Sequence, residues 1–173
     1  PADAPSASSD GWDGEYDVVI VGAGMAGVTA AITIANEGEG ATCLLIEKEA
    51  SCAGNSPYSA GDVLYCDEPD KAEVYLQCLI GGATPDDVIH AYATEIKENL
   101  NWIISLGATE DQLYLNPPDP TGEKTSEYAE FPNDNYVGYY EFDPEKGDAF
   151  HVYYFLFDIM QQHTDVITYM PST

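Results

Sequence analysis

Three glycines and one glutamate hold the chemistry that this chain declares most openly. The stretch DVVIVGAGMAG over residues 17–27 sets Gly22, Gly24 and Gly27 in G-x-G-x-x-G spacing, and Glu47 closes a second apolar run, TCLLIE, twenty residues later. Each position has a physical task. Gly22 allows a tight strand-to-helix turn, Gly24 lets a pyrophosphate approach the backbone, and Gly27 lets the following helix pack close to the strand. The helix N-terminus then offers unpaired N–H groups and a partial positive charge to the phosphates. A carboxylate at Glu47 stands where it would accept hydrogen bonds from a ribose 2′-OH. The combination points to a dinucleotide site rather than a chance glycine-rich turn.

The elements that must position these residues follow from hydrophobic pattern. Tyr16–Val21 is β-branched and apolar on both faces, as expected of a buried parallel strand. A helix over Met25–Asn36, a break at Gly38 and Gly40, and a strand over Thr42–Glu47 complete a βαβ unit with an expected right-handed crossover. Residues 48–63, KEASCAGNSPYSAGDV, are too long and too rich in turn formers for an ordinary connection. A helix is predicted over Lys71–Ile80. Another is predicted from Thr84, with its hydroxyl at the N-cap, Pro85 at N1 and Asp87 at N3. Ile89, Ala93, Ile96, Leu100, Ile103 and Ile104 give it an apolar stripe, and Gly107 a stop. Residues 108–148 read as a loop-rich cover with one short strand or ribbon in EYAEFPNDNYVGYYEF. A helix over Ala149–Gln162 leads into a third parallel strand, Asp165–Met170. The fold class is therefore α/β, a Rossmann-like domain with a parallel sheet. Residues 1–15 read as a flexible leader and 16–173 as the N-terminal portion of the domain. Three strands leave the doubly wound sheet incomplete.

Composition narrows the partners. The 173 residues suffice for one domain with a core, and 45% hydrophobic content argues against disorder. With 31 acidic residues against five lysines and no arginine, the net charge is −26. That excludes nucleic acid and anionic membrane as natural partners and reads as a solvated acidic surface. The absence of arginine also removes the usual bidentate clamp for carboxylate or phosphate. Cys43, Cys52, Cys66 and Cys78 have no metal-ligand spacing, so no metal site is expected. Cys43 reads as a buried thiol, while Cys52, Cys66 and Cys78 leave room for a disulfide in an exported protein. His90, His151 and His163 are scattered and read as surface or helix residues. No segment approaches the roughly 20 apolar residues of a membrane span. The opening PADAPSASSDGWDGE, which lacks an initiating Met, favours a mature end after signal-peptide removal, and so an exported protein; an engineered start is the other reading.

Four segments resemble the fumarate reductase/succinate dehydrogenase flavoprotein superfamily. They are VVIVGAGMAGVTAA, LLIEKEASCAGNSPYSAGD, IKENLNWIISLGA and DIMQQHTDVITYMPS. The branch most similar holds soluble fumarate reductases, urocanate reductase and 3-ketosteroid dehydrogenases. The resemblance implies FAD as cofactor, with contacts at Gly22, Gly24, Ala26 and Gly27, at Glu47 and Lys48, and at Gly54, Asn55, Ser56, Ser59, Ala60 and Gly61. Two positions depart from the family pattern, Ala53 for a Gly and Asp62 for the last Gly. By electrostatics an Asp beside the flavin would disfavour its reduced form. The implied activity is hydride transfer between flavin N5 and an activated C=C or C–C bond of a small or steroid-like substrate. The family's substrate-binding His and Arg lie in later segments. A chain without arginine would accordingly be a fragment, or one piece of a flavoprotein completed by a further polypeptide. Two alternatives stand beside this. One is a non-catalytic structural or electron-transfer flavin subunit assembling with a partner chain. The other is an NAD-binding Rossmann domain, which leaves the GNSPYSAG loop unexplained.

Overall fold

Among the described residues, apolar runs and glycine breaks set off eleven strands and α-helices. In the computed structural model these are β1 (Val18–Val21), α1 (Met25–Glu37), β2 (Cys43–Glu47), β3 (Val63–Cys66), α2 (Pro69–Ile80), α3 (Asp86–Glu95), α4 (Asn99–Ser105), β4 (Leu113–Asn116), β5 (Val137–Phe142), α5 (Val152–Gln162) and β6 (Ile167–Pro171). The structure describes residues 11, 14–51, 54–122, 128–143 and 151–172. Most of the expected leader, together with Cys52, Ala53, residues 123–127 and the expected helix start at Ala149, lies outside them. Two compact units result: residues 1–61 with 151–173, and residues 62–150.

The first unit is a three-stranded parallel sheet in the order β1-β2-β6. Val18 to Val21 pair with Cys43 to Ile46, and Cys43 to Glu47 pair with Ile167 to Pro171. The three expected parallel strands are therefore present and in register. Val28, Ala31 and Ile32 of α1, with Val152, Tyr153, Leu156 and Met160 of α5, are buried with Cys43, Leu45 and Ile167 of the sheet. Alternation puts Val19, Val21, Leu44, Ile46, Thr168 and Met170 on the opposite face. That face is open, with Val19, Val21 and Met170 respectively 56%, 80% and 44% exposed. The expectation that β1 is buried on both faces is thus corrected. Its residues suit a buried strand, but β1 is an edge of this sheet and nothing among the described residues covers its outer face.

The second unit is built on an antiparallel sheet in the order β3-β5-β4. The expected ribbon is β5, flanked by two four-residue strands, β3 and β4, that the hydrophobic pattern does not announce. Cys66, Ala72, Tyr75, Leu76, Ile89, Ala93 and Ile96 form its core. The predicted Thr84 cap is replaced by Pro85, and the long helix from that point breaks into α3, a 3-10 turn at Ile96–Glu98, and α4. Asn99 supplies a physical reason. Its amide donates to the Leu64 carbonyl at 2.8 Å, and its own carbonyl accepts from the Tyr140 hydroxyl at 3.1 Å. Those two bonds tie the chain to the sheet where a straight helix would continue. Cys43, Cys66 and Cys78 are free thiols, so the expected disulfide option does not join Cys66 to Cys78. Among the described residues no helix is long and apolar enough to cross a membrane.

A one-sided sheet predicts unequal costs for adjacent residues of β2. In a polypeptide of residues 1–173, Leu45→Ala should cost about 2–5 kcal/mol, because Leu45 is fully buried under the helices. Ile46→Ala, on the open face, should cost about 1 kcal/mol or less. Urea unfolding of the two variants measures the difference, and equal losses would contradict the one-sided packing.

Candidate functional site

The glycine turn is as tight as its residue types demand. Gly22 has φ +96° and donates its N–H to Ile46 at 2.8 Å, turning the chain off β1. A Cβ on Gly27 would lie 1.9 Å from the Gly22 carbonyl oxygen, so α1 approaches the strand only because residue 27 has none. Gly24 is the N-cap of α1 in extended conformation, with no side-chain cap of its own. The cap comes instead from Ser56, whose Oγ accepts from the Met25 N–H at 2.9 Å. Among the described residues the amides of Gly24, Ala26 and Gly27 have no partner. Three free donors at the N-terminus of a 13-residue helix form a ready anion site.

Glu47 reaches this turn from the end of β2. Its Oε2 accepts from the Ala23 N–H at 2.7 Å and its Oε1 from the Glu49 N–H at 3.0 Å. The Glu49 amide first, and then the Ala23 amide, hold the carboxyl below the usual carboxylate range, against the opposing effect of burial. An ionised carboxylate with one such bond on each oxygen keeps further lone pairs for a hydroxyl. Lys48, next in the chain, is exposed and adds a smaller favourable charge.

The loop after β2 folds over the same helix end. Gly54 adopts φ +79°, Asn55 precedes a 3-10 turn at Ser56–Tyr58, and the Ser59 hydroxyl donates to the Ser56 carbonyl at 3.0 Å. Gly54, Asn55, Ser59 and Ala60 are exposed, whereas Gly61 is buried with φ +88°. The structure thus brings Gly22, Gly24, Ala26, Gly27, Glu47 and Ser56 to one turn, with Lys48 and the rest of the loop leading away. Asp62 belongs to the antiparallel unit. There it shares a hydrogen bond with Glu141, whose carboxyl is pushed up first by burial and then by the Asp62 charge. Two residues that the sequence reading left aside also bear on the turn. The Tyr153 hydroxyl donates to the Ala23 carbonyl at 2.7 Å, and His151 packs against Gly61. The available signal was modest, a histidine opening the apolar helix at residue 152.

Residues 17–138 match the FAD binding domain family. This chain belongs to it. FAD is accordingly the cofactor, and the domain's sequence relatives are flavoproteins of one branch. Over 101 residues it is 34% identical to a 3-oxosteroid 1-dehydrogenase of Mycolicibacterium smegmatis, a match covering 52% of this chain and 17% of that protein. Over 103 residues it is 31% identical to a fumarate reductase (cytochrome) of Shewanella frigidimarina, covering 53% and 18%. The chain thus spans less than a fifth of either relative. A 3-ketosteroid-Δ4-(5α)-dehydrogenase from Rhodococcus jostii RHA1 shares the fold, with TM-score 0.67 at 22% identity over 95% of this chain and 40% of that one. An E. coli quinol fumarate reductase does so at TM-score 0.60 and 20% identity, over 89% and 25%.

The residues present fit FAD. A free anion site stands at the α1 N-terminus, an ionised carboxylate lies beside it, and the space over Gly24 is open, with only Ser56 Oγ, 3.6 Å from a Cβ placed there.

Glu47 gives the FAD-binding domain a testable pH dependence. Its depressed folded pKa contributes stability at neutral pH that is lost as pH falls from the ordinary glutamate value of about 4.3 through the lower folded value. Glu47→Gln should cost about 1.5–3 kcal/mol at pH 7, the scale of a hydrogen bond to a charged group. The gap between variant and parent should close below about pH 4. Denaturant unfolding at several pH values checks both; a pH-independent gap would contradict the assignment.

Proposed function

We propose that this chain is the FAD-holding portion of an oxidoreductase that acts on activated C–C or C=C bonds of a small or steroid-like substrate. The observation that carries the reading is the convergence of three amides without a partner among the described residues, Glu47 and the Ser56 loop on one helix end. The names of the sequence relatives, 3-oxosteroid 1-dehydrogenase and fumarate reductase, support the bond type.

In this reading the Gly24, Ala26 and Gly27 amides bind the pyrophosphate, with the partial positive charge of α1 behind them. Glu47 stays ionised and accepts from the ribose hydroxyls, its orientation already set by Ala23 and Glu49. Ser56 orders the N-terminus of α1, while Lys48 and residues 54–61 border the rest of the cofactor. Bound FAD supplies the redox chemistry, a hydride exchanged at N5 with a substrate carbon while a proton enters or leaves the neighbouring carbon. This chain orients the cofactor. The family resemblance suggests that the group delivering the proton lies in polypeptide outside these 173 residues. The same polypeptide is a fitting cover for the open face carrying Val19 and Val21. The protein is further proposed to be exported, a setting that suits its acidic composition.

Two measurements test the proposal. In the protein at its natural length, Gly24→Val should raise the FAD dissociation constant more than about tenfold, because the side chain fills the pyrophosphate approach. Stability should fall by no more than about 1 kcal/mol, the cost of valine in place of glycine at an N-cap, since φ −70° suits any residue and only Ser56 Oγ lies within 4 Å of the new Cβ. The visible flavin bands of the parent protein should bleach on reduction without oxygen. They should return on addition of fumarate or of an unsaturated 3-ketosteroid. Bands that return with oxygen alone would contradict the C=C reading.

A further inference from the structure

The loop that borders the proposed FAD site is fastened by a histidine whose two ring nitrogens have different partners. His151 is 8% exposed and is the N-cap of α5, where its Nδ1 accepts the Tyr153 N–H at 3.0 Å. A nitrogen that accepts from an amide carries no proton. The ring's hydrogen therefore sits on Nε2, which lies 3.0 Å from the Ser59 carbonyl oxygen and 3.3 Å from Ser59 Oγ. Nε2 donates to that carbonyl. The ring also packs against Gly61, where a Cβ would come within 3.1 Å of Cδ2 and 3.2 Å of Nε2. Two residues on, Tyr153 is fully buried and donates its hydroxyl to the Ala23 carbonyl inside the glycine turn at 2.7 Å.

We propose that His151, as the neutral Nε2–H tautomer, is a positioning residue of the FAD site that holds the Gly54–Gly61 loop in its cofactor-binding shape. This rests on the FAD site described above. The first turn of α5 then grips both halves of that site, the glycine turn through Tyr153 and the loop through His151. The bond to Ser59 is made by a main-chain carbonyl and the ring rests on a glycine, so the tether orders backbone that would otherwise lose conformational freedom when FAD binds. Pre-ordering of that kind appears as affinity.

The two ring nitrogens have different tasks, and two substitutions separate them. His151→Asn keeps an acceptor at the Nδ1 position, and asparagine is a good N-cap, but it cannot reach Ser59. His151→Gln reaches Ser59 with its amide but gives up the cap. In the full-length protein, Asn should leave the unfolding midpoint near the parent value while raising the FAD dissociation constant about tenfold, the loss expected for one hydrogen bond. Gln should lower the midpoint and keep FAD affinity within about threefold of the parent, rescuing binding at the expense of stability. An Asn variant that binds FAD as tightly as the parent would overturn the tether alone. A parent protein that binds no FAD would overturn the site and the tether together. Independently of any variant, the ¹⁵N shifts of His151 should report the Nε2–H tautomer, and a proton on Nδ1 would overturn the proposal.

Discussion

The placing of the site in the first unit turns on one bond, the 2.7 Å hydrogen bond from the Ala23 amide to the Glu47 carboxylate. Ala23 sits in the middle of the glycine turn, and Glu47 ends the neighbouring strand. The bond locks the end of β2 to the start of α1 and places an ionised carboxylate beside the free amides of the helix. The geometry around it leaves little choice. With Gly27 against the Gly22 carbonyl, α1 cannot slide along β1, so the start of the helix, with the amides of Gly24, Ala26 and Gly27, is fixed against the strand. In the proposed FAD site, the groups that would receive a pyrophosphate are therefore placed by the fold before any ligand arrives.

A second consequence concerns charge. A net charge of −26 repels anions at long range, and no arginine is present to reverse that locally. The proposed anion site takes its positive end from backbone, from helix amides that no side-chain count reveals. Glu47 would weaken such a site if its charge were bare. Its two oxygens instead accept amides from Ala23 and Glu49, so part of its charge is compensated locally.

How much of this was legible in the sequence divides along physical lines. The βαβ unit was legible because glycine spacing and apolar runs are local signals, and β1, α1, β2 and β6 fall where those signals put them. The exposure of β1 was not, because burial depends on what covers a strand and not on the strand's own valines. The four-residue strands β3 and β4 escaped because each is defined by pairing with β5, far along the chain. The helix predicted from Thr84 breaks at Ile96–Glu98, where Asn99 bonds to Leu64 and Tyr140, partners that periodicity cannot see. In the site, Gly22, Gly24, Gly27 and Glu47 were readable from spacing. The roles of Ser56 as the cap of α1 and of His151 as the loop's anchor emerged only from tertiary contacts.

The central claim is that the glycine turn and Glu47 are built in advance to receive the pyrophosphate of FAD. A crystal structure of the FAD complex tests it most directly. The account predicts phosphate oxygens about 3 Å from the Gly24, Ala26 and Gly27 amides, with the Ala23–Glu47 bond still in place. A pyrophosphate bound away from the α1 N-terminus, or a Glu47 carboxylate swung off Ala23 to admit it, would contradict the account.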